Sequence, residues 1–177
     1  HLARRFFIII LGLVYLFAFS SLGSQIEGLV GKEGILSAQN FLQQVESQLG
    51  SERVWKLPTL FWLEAGDGFL KFICFAGAAI SLLVMAGIAP ALGLFTLWLF
   101  YLSLFNVGQQ FLGFQWDTLL LETGFLAIFL APLKWRPKLA NEPPSSPWVL
   151  LLFKFLLFRV MFTSGWVKLA SGDPTWK

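Results

Sequence analysis

Gln115–Leu133 reads QWDTLLLETGFLAIFLAPL, and the fold turns on whether this run crosses a membrane with Asp117 and Glu122 at its head. A spanning helix needs about 20 mostly apolar residues, and four other runs in the chain meet that standard. They lie at about 6–23, behind Arg4-Arg5, and at 69–88, 90–105 and 148–167, with Pro90 separating the second from the third. Over the whole chain 56% of residues are hydrophobic, 13% are charged and the mean hydropathy is +0.71. A soluble domain is about half apolar and about a quarter charged. The expected fold is therefore an all-α, polytopic transmembrane helical bundle of about five spans, a single transmembrane domain over residues 1–177, with the lipid bilayer as its partner.

The first run has the basic flank and small-residue end (Ser20-Ser21-Leu22-Gly23-Ser24) of a signal peptide. Its long apolar stretch and the charge bias of the loops read it as a retained span. Positive residues collect on cytoplasmic segments. With the N-terminus cytoplasmic, the inside carries Arg4, Arg5, Lys134, Arg136 and Lys138. The outer loop 24–68 then holds Lys32, Arg53 and Lys56 against Glu27, Glu33, Glu46, Glu52, Glu64 and Asp67, and residues 106–114 carry no Lys or Arg. The expected topology is N-in and C-out, with 134–147 as a proline-rich cytoplasmic linker. Endoplasmic reticulum and bacterial inner membrane fit this bias equally.

The outer loop has its own pattern. Phe41, Leu42, Val45 and Leu49 recur at helical spacing, with Ser37 or Asn40 available as N-cap. Trp55–Leu63 is aromatic but too short to span, which predicts an interfacial or re-entrant helix.

Several chemistries are set aside by composition. A net charge of +3 with no basic cluster gives no nucleic-acid signal. His1 is the only histidine, so no His-dependent triad or His metal cluster is available. Cys74 is the only cysteine and reads as a packing residue. No cofactor and no metal site are expected. Opening at His1 and closing at Lys177, the chain reads as part of a longer protein whose C-terminal region is not included.

The candidate site comes from depth. At about 1.5 Å per residue, Glu122 lies roughly 10 Å below the outer end of its run and Arg159 roughly 12 Å below the outer end of the last. Charges in hydrocarbon face the bundle and pair, so Glu122 and Arg159 are expected partners, with Glu122 buried. Gln115 and Thr118 share the face of Glu122; Thr163 and Trp166 share that of Arg159. Asp117 points elsewhere and is expected at the watery outer rim.

Four stretches carry a resemblance: Gly31–Leu36 (GKEGIL), Pro58–Leu63 (PTLFWL), Phe114–Phe125 (FQWDTLLLETGF) and Arg159–Leu169 (RVMFTSGWVKL). Together they resemble the lipase maturation factor family over nearly the whole chain, departing at Ser37, where proline would be expected. The resemblance implies several membrane spans, a large luminal C-terminal region, and a folding or assembly factor for secreted lipases, the clients being met through that missing region. It implies no catalytic residue, and an enzyme is the less favoured reading. Phe162–Leu169 is also similar to a segment of the vitamin K-dependent carboxylase membrane domain, where the lysine matching Lys168 acts as a base. That implies an alternative membrane enzyme of carboxylase or quinone-redox type using Lys168, and a membrane scaffold is the third reading.

Overall fold

The structure is a computed structural model and describes residues 1–137 and 144–176. Among them there is no strand. Seven α-helices follow in order: α1 (Leu2–Val30), α2 (Ala38–Leu49), α3 (Arg53–Lys56), α4 (Asp67–Met85), α5 (Pro90–Val107), α6 (Gln115–Leu130) and α7 (Pro147–Ala170). By length and composition α1, α4, α5 and α7 can each cross a membrane. The chain is a helical membrane protein.

The helix bounds differ from expectation at several ends, each for a local reason. α1 continues through Ser24, Gln25 and Glu27, which were expected in the outer loop. Ser24 and Gln25 bond back to the Ser21 carbonyl, and Glu27 pairs with Lys71 of α4 at 2.6 Å, so the polar residues extend the helix. α6 has 16 residues, about 24 Å of rise, against an expected run to Leu133. Ala131 precedes Pro132 and is extended (ψ 144°), the conformation that proline imposes on the residue before it. α6 is thus shorter than the hydrocarbon core, about 30 Å. The expected linker 134–147 lies in part outside the described residues, at 138–143, where Lys138 falls.

α1 and α4 form the most extensive helix pair, and α5 packs on α4 and then α6. Small residues let these helices approach, as is usual where lipid supplies no hydrophobic drive. A Cβ at Gly77 of α4 would sit 2.6 Å from the Phe19 ring of α1. Tyr15, Phe19, Leu70, Cys74, Leu94 and Leu104 fill the centre, Cys74 packing as expected. α7 differs from all of these. It lies on α6 and contributes no buried residue, and near its start Phe153 meets Phe7 of α1 edge-on at 5.2 Å.

The outer loop docks on α5. α2 begins after Ser37, which takes the N-cap position without a side-chain capping bond, and it buries Ala38 and Leu42. Trp55–Leu63 is not one interfacial helix. Its chain is broken at Pro58, between α3 and a short 3-10 turn at Leu60–Trp62. That turn is tied down: Leu60 N–H donates to Ser103 Oγ at 3.1 Å, and the Thr59 hydroxyl donates to the Ser103 carbonyl at 3.2 Å. Asn106 donates to the Pro58 carbonyl at 2.7 Å, and Phe61 is buried.

Candidate functional site

The structure brings Glu122 and Arg159 together: Arg159 Nη2 donates to Glu122 Oε2 between α6 and α7. The pair is not buried as expected. Side-chain exposure is 33% for Glu122 and 49% for Arg159, because α7 covers only one side of α6. α7 is long and apolar enough to cross a membrane, and a lone charge at the centre of a spanning helix costs about 2.5–3.5 kcal/mol on insertion scales. The mutual contact offsets much of that cost.

Asp117 overturns the expectation of a watery rim residue. It is 4% exposed, beneath the α5–α6 contact. The Tyr101 hydroxyl of α5 donates to its Oδ1 at 2.6 Å, and the Phe114 N–H to its Oδ2 at 3.3 Å. Asp117 therefore caps the start of α6 with one oxygen and anchors α5 with the other. Tyr101 in turn packs edge-on against Tyr15 and Phe19 of α1, at 6.0 and 5.8 Å between ring centres. Tyr15 donates to the Leu120 carbonyl at 3.4 Å. These tyrosines were not singled out from sequence. Their signal was two hydroxyls inside otherwise apolar helices, each needing a partner once buried.

The supporting residues divide. Gln115 and Thr118 of α6 and Thr163 of α7 line one cleft with the ion pair, about 350 Å³ in volume. On the other side of the pair lies a hollow of about 200 Å³ walled by Phe125, Leu126, Leu152, Phe155 and Leu156. Trp166 does not line the cleft. It stacks on Phe162, and Phe162 on Phe158, an i, i+4, i+8 aromatic row that turns its ring aside.

Lys168 is exposed at the end of α7, with its Nζ 4.4 Å over the Trp176 ring. Asp173 sets up that approach by accepting from the backbone and hydroxyl of Thr175, bonds that hold its carboxyl below the ordinary carboxylate range. A lysine base depends on burial or a neighbouring cation. Lys168 is not buried, and the Arg159 guanidinium is directed to Glu122 on α6. Nothing at the site supports carboxylase-type chemistry. Among the described residues no group of three or more His, Cys, Asp or Glu side chains could hold a metal.

The family model described as the lipase maturation factor transmembrane domain matches residues 2–177. The chain belongs to the lipase maturation factor family. It is 44% identical to lipase maturation factor 2 of Xenopus laevis, over 99% of this chain and 26% of that protein. It is 39% identical to the human lipase maturation factor 2, over 99% of this chain and 27% of that protein. Lipase maturation factor 1 of Bos taurus is 36% identical, over 94% of this chain and 31% of that protein. The chain therefore spans about a quarter of the length of the first of these relatives. No solved structure matches it. In this chain the segment Gln115–Phe125 supplies both the capping carboxylate of Asp117 and the interhelical carboxylate of Glu122.

Proposed function

We propose that this chain is the membrane-embedded part of a maturation factor that helps secreted lipases reach their folded, assembled form. Membership of the lipase maturation factor family along the whole chain carries this reading. The site suits such a role. It is a set of interhelical polar contacts, Glu122–Arg159 and Asp117–Tyr101, that fix how α5, α6 and α7 sit together. In this reading the N-terminus is cytoplasmic, α7 ends on the luminal side, and the membrane is that of the endoplasmic reticulum. Clients meet the luminal part of the full-length protein, and the transmembrane domain holds that part at the membrane surface. The charge difference between the two faces supports the orientation.

The test is a cell line lacking its own lipase maturation factors, complemented with the full-length protein of which this chain is part. Secreted lipase activity per unit of lipase protein rises on complementation if the reading holds. If activity per unit lipase is the same with and without the protein, the reading is wrong.

A further inference from the structure

The cleft between α6 and α7 holds two opposite charges that are both partly exposed. Arg159 spends Nη2 on Glu122. A guanidinium carries five N–H donors, and among the described residues no second acceptor engages those of Arg159. Oε1 of Glu122 likewise receives no hydrogen bond among the described residues. Thr163 and Gln115 add further polar groups around the same space of about 350 Å³, and Thr118, whose hydroxyl donates to the Phe114 carbonyl, presents its oxygen there. The cleft starts at Gln115, the first residue of α6, so it opens at the membrane rim.

Leu119 is one wall of this cleft and also one wall of a second hollow of about 330 Å³ between α1 and α6. Ile10, Val14, Trp116 and Leu120 line that hollow, and it is apolar apart from Thr123. A cleft that carries an ion pair and an apolar groove that share a wall match the two parts of one lipid.

We propose that this composite groove binds a zwitterionic glycerophospholipid. The phosphate sits on the unused N–H groups of Arg159, the head-group cation faces Glu122, and one acyl chain lies along Ile10, Val14 and Leu120. The charges choose the class. An anionic head meets Arg159 in the same way but brings no counter-charge for the Glu122 carboxylate beside it, and a free fatty acid has the same shortfall, whereas a zwitterion complements both members of the pair. The bound head also gives the half-exposed ion pair polar partners that acyl chains cannot supply.

The test uses the full-length protein in phosphatidylcholine vesicles doped with a phosphatidylcholine that carries a diazirine at mid-chain. Irradiation followed by peptide mapping locates the adducts. They are expected on segments 10–14 and 116–123, well above the lipid-facing Phe72 and Phe75 of α4. Leu119→Trp, which fills the shared wall, lowers labelling of those segments roughly tenfold while α4 labelling stays constant. Thr118→Val with Thr163→Val leaves the ion pair in place and lowers it in the same direction, which guards against a folding defect in the tryptophan variant. Uniform labelling of all lipid-facing helices, or labelling indifferent to both variants, overturns the proposal. So does equal labelling by a phosphatidylglycerol probe. The readout is independent of lipase secretion, so it can fail while the function above stands.

Discussion

Tyr101 donates a 2.6 Å hydrogen bond to Asp117 across the α5–α6 contact, a side-chain link far more deeply buried than the partly exposed Glu122–Arg159 pair. It joins the capping of α6 to the packing of α5 and, through the Tyr101 ring, to α1. Tyr101→Phe leaves the carboxylate buried with only the Phe114 N–H as donor. The expected cost is about 1–3 kcal/mol, seen as a lower Tm for the purified protein in detergent. An unchanged Tm would mean that the bond contributes nothing.

Gly124 faces the Tyr15 hydroxyl so closely that a Cβ there would be driven into it. Tyr15 is fully buried, and its hydroxyl is held toward the Leu120 carbonyl. Gly124→Ala should therefore destabilise by about 1–3 kcal/mol through overpacking. With Tyr15→Phe the nearest remaining ring atom is Cζ, at 3.1 Å, and part of the loss should return. Equal Tm deficits for the single alanine variant and the double variant would show that the strain lies elsewhere.

Ser103 holds the outer loop, accepting from Leu60 N–H through a side chain that is fully buried. Ser103→Ala leaves that N–H without its acceptor and should cost about 1 kcal/mol. Limited proteolysis should then cut segment 53–63 faster. Lys56→Gln is the contrast. It removes an exposed i, i+4 pair with Glu52, worth at most about 0.5 kcal/mol, so its proteolysis rate should match wild type.

Much of the bundle was legible because hydrophobic run length reports directly on spans, and α4, α5 and α7 begin and end within a few residues of their runs. Polarity misled at the ends. Ser24 and Gln25 look like loop residues, yet each satisfies its side chain on the preceding helical turn. Asp117 looked solvated because depth along a helix says nothing about a neighbouring helix, and only the tertiary fold lays Tyr101 over it. The partner level of Glu122 and Arg159 could be reckoned from helical rise. Their exposure could not, since it depends on how little of α6 is covered by α7. Trp166 sat on the right stripe by angle, but stacking with Phe162 decided where its ring points.

The central claim is that Glu122 and Arg159 act as one unit that seats α7 on α6. A double-mutant cycle tests it most directly, using Glu122→Gln, Arg159→Gln and both together in the full-length protein, with Tm in detergent and folded yield in membranes as readouts. Each single change leaves one charge facing lipid and should cost about 2–3 kcal/mol. The double variant should be no less stable than either single one. Losses that simply add would contradict the claim, because two residues that do not depend on each other behave that way.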